Sequence, residues 1–160
     1  MNIKSRVFFG LFLAQACMMQ AKSDGTVIGN FEIGYEDLAG KSKTFINNSK
    51  YDLVIRWKLF EPGTAHQHAQ EPTIKRGDRL TLNFDLALKH LEGARRMDMT
   101  LEILRVRRNP KGAGHPLITT KMKDGSLALA IHKSKFTKND TFTLSLNKNG
   151  LLVCTASRAS

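Results

Sequence analysis

The sequence predicts an all-β fold: a single antiparallel β-sandwich, or a partly open barrel, of about eight strands. Three observations carry this. Period-two alternation of apolar and polar residues recurs from residue 26 to the C-terminus, the pattern of strands with one face in a core and the other in water. Asp124-Gly125 and Asn149-Gly150 stand between such runs, and Asx-Gly pairs are hairpin turns. Turn signals separate the remaining runs, and no internal repeat or low-complexity tract interrupts them.

Taken in order, Val27, Phe31, Ile33 and Tyr35 alternate with Asn30, Glu32 and Glu36, and Thr44–Ile46 reads as a short strand. Leu53, Ile55, Trp57 and Leu59 alternate with Asp52, Arg56 and Lys58. Leu80, Leu82, Phe84, Leu86 and Leu88 continue the pattern, although Phe84, Leu88 and Leu91 also fit one helical face ending at Glu92-Gly93. A short helix within residues 85–96 therefore competes with a continuous strand. Met97, Met99, Leu101 and Ile103 follow, and the shift to Leu104 and Val106 suggests a bulge near residue 104.

The two hairpins give explicit registers. A two-residue type I′ loop at Asn149-Gly150 pairs Lys148 with Leu151 and Leu146 with Val153. Phe142, Leu144, Leu146, Leu151 and Val153 then share one face, and Cys154 lies on the other. At Asp124-Gly125 the same rule joins Ile118 and Met122 to Leu127, Leu129 and Ile131. The longest unpatterned loops are Glu61–Lys75 and Asn109–Pro116.

A chain of 160 residues, 41% hydrophobic and 24% charged, can bury a core without metal or disulfide staples. Its charge is unusual: 25 basic residues face 14 acidic ones, a net +11. Such an excess favours anionic partners and leaves the fold undetermined.

The N-terminus reads as an export signal occupying residues 1–16. Lys4 and Arg6 precede the apolar run Val7–Ala14, and Ala14-Gln15-Ala16 supplies the small residues of a cleavage site. That run is far shorter than the roughly 20 residues a membrane-spanning helix needs. Removing Lys4 and Arg6 leaves 23 basic against 14 acidic residues, or +9. Cys17 follows Leu13-Ala14-Gln15-Ala16, which resembles the lipobox of bacterial lipoproteins. The resemblance implies lipidation of Cys17 as the mature N-terminus. Ala14 and Gln15 depart from the pattern, and a rival site at Met19-Gln20-Ala21 would discard Cys17. Residues 17–25 read as a polar tether and 26–160 as the domain. Cys154, the one other cysteine, ends the apolar run Leu151-Leu152-Val153-Cys154 and reads as a structural thiol.

Several residues suggest sites. His66 and His68 would face the same way on a strand and are weak metal candidates, while His90, His115 and His132 could join only through the fold. Met97 and Met99 offer two thioethers, but their phase matches Leu101 and Ile103 and assigns them to the core. A basic surface is expected from Arg95, Arg96, Arg105, Arg107, Arg108 and Lys111, with Lys133, Lys135 and Lys138 as a second cluster. Edge lysines and arginines also serve to block strand aggregation. Aromatic residues are not interleaved with these cations, which argues against nucleic acid. Neither G-x-S-x-G, H-E-x-x-H nor a P-loop occurs, and no cofactor is implied. Asn47-Asn48-Ser49 and Asn139-Asp140-Thr141 satisfy the glycosylation sequon.

The expectation is a non-enzymatic envelope protein, tethered to the outer membrane or free in the periplasm. It would dock with other envelope or secretion-machinery proteins, much as small lipoprotein subunits of bacterial secretion machines do. A second reading is a secreted binder of anionic membranes or host surfaces, using Trp57 or, better exposed, Phe60 as an anchor. A third is a periplasmic metal or ligand carrier using the His66/His68 loop.

Overall fold

A computed structural model describes residues 25–106 and 122–158. The signal, Cys17, nearly all of the tether, Arg107, Arg108, Lys111, His115 and Ile118 lie outside the described residues. The described chain runs β1 (Thr26–Ile33), α1 (Tyr35–Leu38), β2 (Ser42–Asn47), β3 (Leu53–Phe60), β4 (Gln67–Gln70), β5 (Thr73–Ile74) and β6 (Arg79–Asn83). It continues through α2 (Asp85–His90), β7 (Met97–Arg105), α3 (Lys133–Lys138), β8 (Thr141–Leu146) and β9 (Leu152–Ser157).

The fold is all-β and sandwich-like, and neither of its two sheets closes into a barrel. The first sheet has the order β1-β7-β3-β4, with β5 also on β3; the second has the order β6-β2-β8-β9. Every pair is antiparallel except β2 with β8. The chain leaves β2, builds most of the first sheet and returns to β8. Parallel pairing needs such a long crossover.

The alternating runs bury what their phase requires. Leu53, Ile55, Trp57 and Leu59 of β3 and Met97, Met99, Leu101 and Ile103 of β7 all face the core, so the two methionines are packing residues. A string of aromatic rings joins the layers: Phe45 to Phe142 (5.2 Å), Phe142 to Phe136 (5.7 Å), Phe136 to Phe84 (6.1 Å) and Phe84 to Trp57 (5.2 Å). Offset and edge-on ring pairs at these distances add to simple burial.

Both open sides of the sandwich are plugged. Between β6 and β4 lies α2, with Phe84, Leu88 and Leu91 buried and Leu86 exposed, so the helical alternative for residues 85–96 is realised at 85–90. Between β1 and β9 runs the segment Leu127–His132. Its Ala128 carbonyl accepts from the Cys154 amide (3.3 Å), and its Ile131 amide donates to Ile28 O (2.6 Å). Leu129 and Ile131 fill the core there. The predicted strand over these residues is instead a turn, closed by Ala130 N–H to Leu127 O (2.8 Å). Met122, expected inside, is exposed.

Two registers differ from expectation. In β1 the shift lies between Val27 and Gly29, so Ile28 turns inward and Val27 outward, while the β3–β7 register runs unbroken past residue 104. Tyr35 belongs to α1 and is exposed. At the β8–β9 hairpin, Leu144 pairs with Cys154 and Leu146 with Leu152, one residue from the two-residue solution. Gly150 N–H donates to Asn147 O (2.9 Å) and Asn147 N–H to Leu151 O (2.9 Å), making a three-residue loop with Gly150 at φ +74°. A type I′ turn needs positive φ at Asn149, and no described non-glycine residue has it. Asn147 Oδ1 instead accepts from the amides of Asn149 (2.9 Å) and Leu151 (3.0 Å), which stabilises the longer loop. The slip exchanges faces: Leu152 and Cys154 are buried, and Leu151 and Val153 are half-buried.

Candidate functional site

At the end of the first sheet where β3 begins and β7 ends, three chain segments meet. Their organiser is Asn47, the last residue of β2, which is wholly buried. Its Nδ2 donates to Tyr51 O (2.7 Å) and Ile74 O (3.1 Å), and its Oδ1 accepts from Ser49 N (3.1 Å) and Ser49 Oγ (2.7 Å). Its own backbone binds the β5–β6 turn, through Asp78 O (2.9 Å) and Gly77 N (2.7 Å). Gly77 has φ +82°, which a side chain would resist. Asp52 completes the junction: its carbonyl accepts from Val106 N (2.9 Å), and Oδ1 accepts from Arg76 N (3.0 Å).

On this rigid base Tyr51 carries two cations. The Arg105 guanidinium stands 3.9 Å from the ring centroid and Lys50 Nζ stands 5.4 Å from it, both within cation–π range. Among the described residues neither has a carboxylate partner. Two other arginines, Arg56 and Arg96, are by contrast ion-paired. Arg56 bridges Glu71 (2.6 Å) and Glu102 (3.0 Å), and Arg96 bridges Asp98 (2.9 Å) and Glu32 (3.3 Å). A stacked, carboxylate-free guanidinium keeps its fork of donors available to an anionic group.

The basic set expected from sequence is therefore divided. Arg95 and Arg96 sit before the first residue of β7, and Arg105 is its last. At about 3.3 Å per residue that places them roughly 30 Å apart. Arg105 gathers instead with Lys50 and Tyr51, whose adjacency in sequence was the available signal, beside a turn carrying Lys75 and Arg76. Lys133 lies 3.9 Å from Asp37, and Lys135 donates to Cys154 O (2.9 Å), which ties α3 to the edge of β9.

The other candidates have structural surroundings. Cys154 is buried, and desolvation pushes its thiol up to about 11 against a smaller opposing effect of Lys135, which keeps it a poor nucleophile. Lys43 is wholly buried: Nζ donates to Asn139 O (2.6 Å) and Asp140 Oδ1 (3.3 Å) and lies 5.1 Å from the Phe136 ring. Desolvation lowers its pKa, partly offset by Asp140. Asn47 has no accessible amide for a glycan, and Asn139 Nδ2 is engaged by Lys135 O (2.7 Å). Trp57 is buried, and Phe60 is half-buried with Lys58 Nζ 4.9 Å from its ring.

The histidines are also rearranged. His66 meets Glu61 (3.4 Å), whereas His68 on β4 meets His90 at the end of α2, Nδ1 to Nδ1 at 3.0 Å. Burial, and then His90, lower the pKa of His68. No group of three or more His, Cys, Asp or Glu side chains among the described residues is arranged to hold a metal. No protein-family model, curated protein or solved structure matches this chain.

Proposed function

We propose that this chain is a non-catalytic exported envelope protein, an outer-membrane-tethered or periplasmic sandwich serving as a docking subunit of a larger, secretion-type assembly. Its docking surface is the loop cluster at Lys50, Tyr51 and Arg105, and its partner presents an acidic protein face. One observation carries the docking half: two cations, without carboxylate partners among the described residues, lie over one ring, above loops tied to a buried asparagine. Prepaid loop order lowers the entropic cost of association, and charge complementarity gives on-rate and selectivity. The address rests on Lys4–Ala16 and Cys17 in the sequence.

Metabolic labelling with a palmitate analogue tests the tether. Incorporation that disappears in Cys17→Ala supports it; no incorporation, with free protein in the medium, overturns it. The same two cations favour a second reading, attachment to an anionic membrane. Flotation of the domain beginning at residue 22 with phosphatidylglycerol vesicles separates the two. Salt-sensitive binding abolished by Lys50→Glu/Arg105→Glu assigns the surface to lipid, and no flotation leaves it to protein.

A further inference from the structure

We propose that His68 and His90 form a two-imidazole binding site for a divalent late first-row metal ion, with Cu(II) held most tightly. The site is independent of the docking surface and differs from the His66/His68 pair that the sequence suggests.

Each ring is placed by the fold. His68 pairs with Leu59 across β3–β4, and its ring lies 5.5 Å from Trp57 and 5.0 Å from His90. His90 is the last residue of α2, the helix that plugs the sandwich beside β4. The two Nδ1 atoms lie 3.0 Å apart, a closeness made by residues 22 apart in sequence. With metal–nitrogen bonds of about 2.05 Å, two tetrahedral donors lie about 3.3 Å apart, whereas two donors at a right angle lie about 2.9 Å apart. The 3.0 Å spacing is that of a hydrogen bond and falls within the range one ion can span. The choice of ion therefore rests on donor type: imidazole nitrogen completed by water suits tetragonal Cu(II) and Ni(II). Of the two, Cu(II) binds nitrogen sites more strongly. Water completes the coordination, and the exposure of His90 leaves a path of entry.

Protons balance without a co-reactant. In the metal-free pair one Nδ1–H donates to the other Nδ1, and Gln70 Nε2 stands 3.2 Å from His68 Nε2. On metal binding the donating ring moves its proton from Nδ1 to Nε2. At His68 the Gln70 amide can turn its oxygen to that N–H, the usual support behind a ligating imidazole. Neutral rings therefore bind the ion without releasing a proton.

Trp57, the single tryptophan, lies beside His68 and reports on the site. Cu(II) is titrated into the purified exported chain and into His66→Gln, His68→Gln and His90→Gln, with fluorescence followed and folding checked by urea midpoint. Expected is saturable quenching at one ion per chain, unchanged in His66→Gln and shifted at least tenfold to higher concentration in both other variants. Electron paramagnetic resonance of the wild type at equimolar Cu(II) should count two or more nitrogen donors, falling by one in each variant. Quenching that survives both substitutions, or that requires His66, overturns the proposal. A wild-type spectrum with fewer than two nitrogens does so whatever the variants' stability.

Discussion

Replacing Asn47 by alanine should unfasten the end of the sandwich that carries Tyr51. The amide makes four hydrogen bonds, two given and two received, in a wholly buried position. At about 1 kcal/mol net per bond the gross loss is about 4 kcal/mol. Tyr51 O keeps a second donor in Ser49 Oγ (3.3 Å), so the expected loss is about 3 kcal/mol. For a domain of this size that lowers Tm by roughly 10–15 °C. Urea unfolding followed by Trp57 fluorescence measures it directly, because Trp57 is buried and is the one tryptophan. The exposed neighbour Asn48→Ala is the control and should stay within about 0.5 kcal/mol of wild type. A loss below about 1 kcal/mol in Asn47→Ala, or equal losses at the two positions, would refute the reasoning that the loops hang on this side chain.

Other outcomes follow from the same structure. With its thiol buried and its pKa pushed up to about 11, Cys154 should resist disulfide reagents at pH 8 until the protein unfolds, while a cysteine at Val153 reacts in the native state; the opposite ranking would restore the two-residue hairpin. Lys43→Met should leave stability within about 1 kcal/mol of wild type or raise it, because a buried ammonium is exchanged for apolar packing of similar length. Asp140→Ala should cost about 1 kcal/mol, discounted because Asp140 is half exposed. Lys43 also sets a pH dependence: its folded pKa lies below 10.5, so between the two values the unfolded chain binds more protons and stability rises with pH. Denaturant midpoints measured across alkaline pH should show that rise in wild type and a flatter profile in Lys43→Met.

How much was legible depended on whether one interaction or several decided each element. In β3 and β7 alternation alone fixes the buried face, so Trp57 and Met99 were placed correctly by phase. Phe84, Leu88 and Leu91 fit one helical face while Phe84, Leu86 and Leu88 fit a strand, so the sequence leaves both open and the exposure of Leu86 in the fold decides for α2. In the β8–β9 loop Asn149-Gly150 alone points to a two-residue turn, but the Asn147 side chain accepts from two loop amides and lengthens it. In β1 the bulge at Ile28 forms against β7, a partner more than 70 residues away, and such pairings leave no local trace. The candidate surface was half visible. Arg105 stood out in the charge pattern, but Lys50 and Tyr51 reach it only because β3 pairs with β7, and His90 reaches His68 only because α2 packs beside β4.

Site-specific photo-cross-linking in intact cells tests the docking claim most directly. A benzoyl-phenylalanine is placed at Tyr51, or for comparison at Tyr35, which is exposed near the opposite end of the first sheet. The account predicts a discrete adduct with an envelope protein from position 51, lost on Arg105→Glu and restored by a compensating basic substitution in the partner, and none from position 35. Equal adducts from both positions, or an adduct from position 51 indifferent to Arg105→Glu, would contradict it.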